Sequence, residues 1–319
     1  MKNRTSEFMS GGAYGCQKLN PGRRDSHFQF RKVKYGIRDS IEKLLRGCGW
    51  IIGYVILWGW VVFSILALIW IFYTSLKTNQ EIFAGIWSLP EGLQWNNYVR
   101  AWVRAHIANY FLNSLFVTLI SVTALAMVSS MAAYALARCK FKGSNLLFYF
   151  FLSGIMIPVQ LILVPLYKLL TSLSLIDSLV GLIFIYVPLF LPFSIFVMTG
   201  FFRTLPLELE EAAALDGCSG FGIFWHIMFP LALPGVVVVA IFNTIAIWNE
   251  YLLALVNIST AQRRTLPLGI YNLYVSTAFT IDWAALFAGL VLLMLPTIVV
   301  FLILRKRIIG GLTFGALKG

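Results

Sequence analysis

Long apolar runs, separated by short polar segments, occupy most of the chain from residue 50 onward. Six of these runs reach the length of about 20 residues that an α-helix needs to cross the hydrocarbon core of a bilayer. They lie at residues 50–73, 111–137, 146–166, 179–202, 231–255 and 284–304. The pattern predicts an all-α membrane protein with about six transmembrane helices, in which residues 50–304 form one transmembrane domain.

The composition agrees with lipid as the main solvent of this chain. Hydrophobic residues make up 59% of its 319 residues and charged residues 12%, whereas soluble domains have about 45–50% and about 25%. The net charge of +12 does not indicate nucleic-acid binding, because the basic residues form no basic face with stacking aromatic side chains. The expected surroundings are therefore a lipid bilayer and no nucleic acid.

The residue types that build metal and catalytic centres are few and scattered. The three histidines lie far apart and the four cysteines form no CxxC pair, so we expect no metal site, no catalytic residues and no enzymatic activity. All four cysteines face or border the predicted cytoplasmic side, where thiols stay reduced. We therefore expect free thiols at Cys16, Cys48, Cys139 and Cys218.

The distribution of lysine and arginine predicts the orientation of the helices. Eleven of these residues precede the first run, three follow the second, one follows the fourth and four follow the sixth. These 19 residues lie on one side of the predicted membrane and 6 lie on the other, so the positive-inside rule places both termini in the cytoplasm. Residues 1–49 are then a basic cytoplasmic tail, and residues 305–319 a C-terminal cytoplasmic tail.

The end of the N-terminal tail has its own pattern. Apolar residues recur there at helical spacing among basic ones, namely Ile37, Ile41, Leu44 and Leu45 among Arg38, Lys43 and Arg46. This pattern predicts an amphipathic helix over residues 37–49 that lies on the inner leaflet. A solvated, partly disordered tail is the alternative, and disorder is expected before residue 37.

Prolines interrupt three of the apolar runs, at Pro158, Pro165, Pro188, Pro192 and Pro296. Each proline removes a helix hydrogen bond and can kink the helix. Kinked helices around a wet pathway suit a transporter, but prolines are also more frequent in transmembrane helices than in soluble ones. Both interpretations stay open on the sequence.

The segment at residues 203–230, between the fourth and fifth runs, is acidic although it lies on the predicted cytoplasmic side. One arginine, Arg203, is set against four carboxylates, for a segment charge of −3: Glu208, Glu210, Glu211 and Asp216. An acidic, alanine-rich segment in this position is typical of an element that docks on another protein.

Local signals in this segment predict a helix–turn–helix. Thr204 can cap the first helix, Pro206 suits its first turn, and the glutamates that follow favour a helix N-terminus. Residues 212–214 leave a narrow face, Gly217 can adopt the left-handed turn that ends the helix, and Ser219 can cap the second helix. Such a helix fits a groove of another protein, and the alternative is a surface helix that packs on its own chain.

The same segment resembles a motif of the permeases of ABC importers. That motif reads E-A-A, three residues, G, nine residues, I-x-L-P, and the chain has Glu211-Ala212-Ala213, Gly217, Ile227 and Pro230, with Phe229 in place of leucine. The resemblance implies that the segment couples the permease to an ATPase. The coupling residues that it implies are Glu211, Ala212, Ala213, Leu215, Asp216, Gly217, Gly220, Ile227 and Pro230.

Further segments resemble the carbohydrate-uptake branch of that family, in particular its maltose-permease G-type subunits. They lie at residues 73–83, 97–98, 110–115, 248–251, 264–269 and 311–319. The resemblance thus covers about residues 50–319 and implies the maltose-permease-like fold.

The resemblance implies ATP-driven import of a sugar or oligosaccharide across a bacterial cytoplasmic (inner) membrane. The chain would pair with a second, F-type permease subunit, and two ATPase subunits would bind ATP and Mg²⁺. An extracytoplasmic solute-binding protein would deliver the carbohydrate. This chain has no GxxxxGK[ST] phosphate loop, and we expect it to bind no cofactor itself. The family's C-terminal tail can also reach the ATPases, which implies a second contact at Gly311, Thr313 and Gly315.

Polar residues inside the apolar runs are candidates for the substrate pathway, because such residues are costly in a membrane and often functional. Asn243 and Trp248 could hydrogen-bond and stack on a sugar ring, or they could join neighbouring helices. For Glu250, near the outer end of the fifth run, the structural role is favoured. The candidates are Asn113, Gln160, Asn243, Thr244, Trp248, Asn249 and Glu250.

Two other functions remain as alternatives. An ABC importer for a non-sugar solute would carry the same loop motif. A secondary transporter fits less well, because the sequence has neither an internal repeat nor a paired set of buried charges.

Overall fold

A computed structural model describes residues 50–104, 106–139, 141–280 and 282–316 of the chain, without the side chains of residue 104, residues 276–280 and residues 304–316. The predicted amphipathic helix at residues 37–49, with Cys16 and Cys48, lies outside the described residues. The chain divides into two compact units, Met1–Ala67 and Leu68–Gly319, and each is described by itself. Every regular element among the described residues is helical, as the apolar pattern predicts.

The first unit contains the beginning of α1, the helix Trp50–Thr74. Its large apolar side chains are exposed on all sides over residues 50–66. A helix that is apolar all round needs an apolar solvent or partner, so this segment agrees with the predicted first span.

Three further helices in the second unit are long and apolar enough to cross a membrane. They are α4 (Ile107–Arg138), α7 (Leu179–Thr204) and α14 (Trp283–Ala316). The helix α4 begins one turn before the predicted run. The helix α14 continues past residue 304, so no helix end separates the sixth run from the predicted C-terminal tail.

The third and fifth apolar runs do not form straight, continuous helices, and the six predicted spans are compatible with the structure if each bent pair is one span. The third run divides into α5 (Ser144–Gly154) and α6 (Val159–Ser172), which are bent by 99°. Pro158 precedes α6 in an extended conformation, and a proline disfavours helix at the residue before it. The break thus follows from the proline that the sequence predicts only to kink the helix.

The fifth run ends earlier than predicted and divides as well. The helix α11 covers Leu233–Trp248 and a short helix, α12, follows at Leu252–Asn257. Before α11 the chain bends by 70° relative to the segment Gly220–Leu231. Within the described residues, four helices are long and apolar enough to cross a membrane, or up to six if each bent pair counts as one span.

Short elements gather at the end of the second unit where α4 and α14 begin. They are α2 (Asn79–Ala84), α3 (Asn96–Val99), α12, and α13 (Leu266–Thr280). Asn113 donates to the carbonyls of Gln262 and Arg264, which ties the loop before α13 to α4. The sequence pattern does not predict α13 as an element.

The helices α4 and α7 pack along each other and α11 packs against both of them and against α14. Buried leucine, isoleucine and valine side chains from α4, α7, α11 and α12 form one core, and the buried Tyr186 belongs to it. A second core lies at the opposite end, where α4 and α7 finish. This second core positions the acidic segment.

Candidate functional site

The acidic segment folds into a helical hairpin at the end of α4 and α7. Its first helix, α8, covers Glu208–Leu215. Its second part begins with α9 (Gly220–Ile223) and continues through the π-helical turn Phe224–Met228 to α10 (Phe229–Leu231). The predicted helix–turn–helix is therefore present. We call residues Glu208–Leu231 the hairpin.

The turn of the hairpin has the local chemistry that the sequence predicts. Gly217 has φ of +83°, a left-handed conformation that glycine adopts without strain. The Cys218 N–H bonds to the Ala213 carbonyl and the Gly217 N–H to the Ala214 carbonyl, which is the Schellman pattern at a helix C-terminus. Ser219 then caps α9 by accepting from the Gly222 N–H at 3.2 Å.

The predicted cap of the first helix is wrong. Thr204 is the last residue of α7, and its hydroxyl donates to the Phe201 carbonyl at 2.7 Å. The N-cap position of α8 is Leu207, which has no side-chain hydrogen bond. The helix α7 runs two residues beyond the apolar run that predicted it, and this extension takes Thr204 away from the position of a cap.

One side of the hairpin is buried against the second core. Ala213 from α8 and Ile223, Phe224 and Met228 from the second part pack with Phe202 of α7 and Ala133 of α4. A methyl group at position 213 lets α8 lie close to the membrane helices, which is the packing on its own chain that the sequence analysis gave as the alternative. The hairpin is thus a docked element of the fold.

The other side of the hairpin is exposed. Leu215 is 89% exposed and Phe221 is 64% exposed, although both are large apolar residues at the turn. Exposed apolar residues at a projecting turn are typical of a contact surface. The remaining exposed positions of the predicted coupling set are Glu211, Ala212, Asp216, Gly217, Gly220 and Pro230, whereas Ala213 is buried and Ile227 is half-buried.

A charged residue that the sequence analysis counted only for orientation holds the hairpin in place. Arg138, the last residue of α4, has its Nε 3.1 Å from the Glu210 Oε1 of α8. Both atoms are buried and neither makes an aligned hydrogen bond, so their attraction is that of an ion pair. The same guanidinium donates to the carbonyls of Phe202, at 2.6 Å, and Leu205.

The Glu210 carboxylate is desolvated in this position. Burial raises its pKa, and the Arg138 charge and a hydrogen bond from Tyr134 only partly oppose that effect. Neither Arg138 nor Tyr134 has a local sequence signal for this role, because their partner Glu210 lies more than 70 residues away in the chain.

The pathway candidates on α11 have partners within this chain. Asn243 donates to the Ser194 hydroxyl at 2.8 Å, and both residues are buried. The Trp248 indole N–H donates to the Leu293 carbonyl at 3.2 Å. Asn249 donates to the Ile245 carbonyl of its own helix at 2.8 Å. These contacts join helices or complete them, which is the structural alternative for polar residues in a span.

Glu250 makes three hydrogen bonds at the break between α11 and α12. Its Oε2 accepts from the Tyr186 hydroxyl at 2.6 Å, and its Oε1 accepts from the Leu253 N–H at 2.7 Å. The Ala254 N–H also reaches Oε2, at 3.3 Å. Glu250 therefore closes the first turn of α12 and links it to α7.

A small apolar cavity of about 160 Å³ lies between α4, α11 and α14. Of the pathway candidates, Thr244 and Trp248 line it, together with Leu115, Thr118, Leu119, Val122, Ile245, Pro296, Thr297 and Val300. Gln160 is exposed on α6, away from this cavity, and Asn113 is bonded at the loop before α13. The structure does not bring the seven candidates together in one place.

The remaining predicted positions lie outside the hairpin core and the cavity. Cys139 and Cys218 are free and exposed. Gly311, Thr313 and Gly315 lie in the last turns of α14, where only the backbone is described. Within the described parts of the chain, no three histidine, cysteine or acidic side chains are grouped as metal ligands.

Two loops at the end opposite the hairpin are joined by a residue that was not among the predicted site residues. Asp177 precedes α7, and its carboxylate accepts from the Thr260 hydroxyl and from the N–H groups of Ser259 and Thr260. Arg263 lies 3.2 Å from the same carboxylate. These hydrogen bonds lower the pKa of Asp177.

Residues 126–310 match the family described as the binding-protein-dependent transport system inner membrane component. The chain is 36% identical over 259 residues to a diacetylchitobiose uptake system permease protein, NgcG, of Streptomyces coelicolor, and covers 86% of that protein. It is 35% identical over 259 residues to the trehalose transport system permease protein SugB of Mycobacterium tuberculosis, and covers 94% of it. Each alignment takes in 81% of this chain.

A third relative and one solved structure match a similar share of this chain. The melibiose/raffinose/stachyose import permease protein MelC of Bacillus subtilis is 34% identical over 247 residues, or 77% of this chain and 88% of that protein. A bacterial ABC transporter involved in the import of the acidic polysaccharide alginate has a chain that superposes with a TM-score of 0.68. That superposition covers 80% of this chain and 95% of the other at 22% identity, and it supports the fold.

Proposed function

The chain belongs to the family of inner membrane components of binding-protein-dependent transport systems, and from this premise we propose that it is a permease subunit of an ATP-driven carbohydrate importer. In that role it forms half of the translocation pathway for a sugar or oligosaccharide. It is a multi-pass membrane protein, and we propose that it lies in a bacterial cytoplasmic membrane with both termini inside.

The printed names of the relatives support the carbohydrate as substrate. Three relatives at 34–36% identity are named for diacetylchitobiose, for trehalose and for melibiose, raffinose and stachyose. These sugars differ in linkage and length, so the names favour the class of substrate and do not select one sugar. An importer of a non-sugar solute is the alternative.

The hairpin supports the coupling role. The single observation that carries this role is that the hairpin has one buried face and one exposed face. Its inner face is fixed to α4 and α7 by the second core, while Leu215 and Phe221 project from its turn. A short helix with such a face fits a groove of a partner. We propose that this partner is an ATPase subunit, which binds ATP and Mg²⁺, and that the hairpin follows its movement.

The opposite end of the molecule carries the proposed contact with an extracytoplasmic binding protein. The loops there are cross-linked by Asp177 and by Asn113, which gives that protein a rigid surface. A second permease subunit completes the pathway, and the apolar side chains of α1 are available to it or to lipid.

The test of the coupling role uses the assembled complex in lipid nanodiscs. Glu211→Lys and Leu215→Asp change exposed positions of the hairpin, so we expect normal membrane insertion and a large loss of binding-protein-stimulated ATP hydrolysis. Lys142→Glu is the matched control, because it reverses an exposed charge that lies outside the hairpin and away from the proposed binding-protein surface. Wild-type hydrolysis rates in both hairpin variants, or failure of wild type to bind an ATPase, would contradict the proposal.

The substrate class is tested separately by uptake into cells that carry the whole transport system. Labelled disaccharides and oligosaccharides are expected to accumulate and to compete with one another, and labelled amino acids are expected to have no effect. Accumulation of an amino acid or another non-sugar solute alone would favour the alternative importer.

A further inference from the structure

The hairpin is attached to the membrane helices in two different ways. The contacts of Ala213, Ile223 and Phe224 in the second core are apolar, and such contacts have no preferred direction. The contacts of Arg138 are directional, because its planar guanidinium has donors in a fixed fork geometry. An element that has to follow a moving partner needs directional contacts such as those of Arg138.

Three helices meet at the Arg138 guanidinium. The residue ends α4, it donates to the carbonyls of Phe202 and Leu205 at the end of α7, and it faces Glu210 in the first turn of α8. Carbonyls at the end of a helix have no partner within the helix, so Arg138 supplies the end of α7 with donors from α4. Displacement of any one of these helices disturbs contacts with both others.

The surroundings make this junction stiff. The Arg138 and Glu210 side chains are only 10% and 15% exposed, so water does not readily replace their mutual contact. Tyr134, one turn before Arg138 on α4, lies beside the same carboxylate. In the described chain, the Arg138–Glu210 pair is the ion pair that joins α8 to the membrane helices.

We propose that Arg138 is a positioning residue for transport: it makes α8 and the ends of α4 and α7 move as one body when a partner displaces the hairpin. This inference rests on the proposed function, because it needs a partner that moves the hairpin. The inference identifies Arg138 as the residue that transmits the movement of the hairpin to α4 and α7.

A merely stabilising ion pair would behave differently from a positioning one. Arg138→Gln leaves a buried carboxylate without its cation, which costs stability in either case. The double variant Arg138→Gln/Glu210→Gln removes both charges, so no lone charge stays buried. The double variant is therefore expected to recover thermal stability and still to lack the directional junction.

The experiment measures molecules of sugar transported per ATP hydrolysed by the whole complex in proteoliposomes. We expect the double variant to lose about tenfold in this ratio, within the range of typical coupling effects, while its melting temperature returns towards that of wild type. Arg138→Lys keeps the charge without the fork and should be intermediate. Lys142→Gln, which removes an exposed positive charge just beyond α4, is the matched control. We expect it to transport as many sugar molecules per ATP as wild type does.

A second readout follows the movement directly and uses the two free thiols that flank the junction. Spin labels on Cys139 at the end of α4 and on Cys218 in the hairpin report their separation after Cys16→Ser and Cys48→Ser. In wild type we expect the same narrow distance distribution with and without ATP. In the double variant we expect the distribution to broaden or to shift with ATP.

The outcomes separate this inference from the function on which it rests. If wild type binds no ATPase, the proposed function fails, and no partner is then available to move the hairpin. If wild type transports sugar and the folded double variant keeps both the wild-type ratio and the narrow distance distribution, the positioning role of Arg138 is refuted and the importer function stands. If the double variant loses stability, the single variant Glu210→Gln is measured with the same spin labels. A wild-type ratio of sugar to ATP together with a narrow distance distribution in that variant would refute the positioning role of Arg138.

Discussion

Glu250 offers the sharpest distinction between a structural and a substrate-binding role for a polar residue in this membrane domain. Its carboxylate accepts from the Tyr186 hydroxyl and from two N–H groups at the start of α12. The three donor residues, Tyr186, Leu253 and Ala254, are buried. Replacement of Glu250 by alanine would therefore leave three donors without an acceptor and with little access to water.

The expected cost follows from the kinds of bond that are lost. A hydrogen bond to a charged group contributes about 1.5–3 kcal/mol. The N-cap residue of α12 is Tyr251, whose side chain makes no cap bond, so Glu250 takes over the role of a cap, and loss of such a cap costs about 0.5–2 kcal/mol. Glu250→Ala loses both, so we expect a destabilisation of about 2–5 kcal/mol. Tyr186→Phe loses only the hydrogen bond to the carboxylate, which costs about 1.5–3 kcal/mol. Glu250→Gln should destabilise the protein less than Glu250→Ala does, because the carbonyl oxygen of glutamine can still accept from the Leu253 N–H.

The assay is denaturant-induced unfolding of the purified complex in mixed micelles, together with sugar uptake at a temperature where all variants are folded. We expect the order of stability to be wild type, Glu250→Gln, Glu250→Ala, with uptake retained in proportion to folded protein. If Glu250→Ala unfolds as wild type does and yet abolishes uptake or raises the apparent sugar KM alone, Glu250 contacts the substrate and the structural reasoning is refuted.

Three further predictions concern single contacts. In a double-mutant cycle, Asn243→Ala and Ser194→Ala should couple by about 0.6–1.7 kcal/mol in unfolding free energy, the range for hydrogen bonds between membrane helices; a coupling of zero would contradict the bond seen between α11 and α7. Gly269→Ala should destabilise by about 1–3 kcal/mol, because the added methyl group would come within 2.1 Å of the Tyr110 ring; Gly200→Ala, which meets nothing within 4 Å, is the control, and equal melting temperatures for the two would be the contrary result. The hydrogen bonds that lower the pKa of Asp177 stabilise the loops that it joins above the ordinary aspartate pKa of about 3.9, and this stabilisation is lost as the pH falls through the lowered pKa. A spin label on Ser259, whose N–H donates to the Asp177 carboxylate, should thus be immobile at neutral pH and mobile only in strong acid, whereas in Asp177→Ala it should be mobile at every pH; a wild-type label whose mobility changes near neutral pH would exclude Asp177 as the cause.

The parts of the site that were predictable depend on local chemistry. The left-handed turn at Gly217 and the cap at Ser219 involve residues within a few positions of each other, so the sequence contains all that decides them. The predicted cap at Thr204 was wrong for a related reason. Thr204 stays in the last turn of α7, where its hydroxyl donates to the Phe201 carbonyl, and α8 begins only at Glu208.

The sequence by itself determined that this chain spans a membrane, which of its segments are apolar enough to do so, and where the acidic hairpin lies between them. These properties depend on hydrophobicity and helix caps, which act over one or two turns. The tertiary structure decided that Glu250 meets Tyr186 and that Arg138 meets Glu210. The bonds of Glu250 and Arg138 join residues more than 60 positions apart, and only the packing of the helices brings such partners within reach.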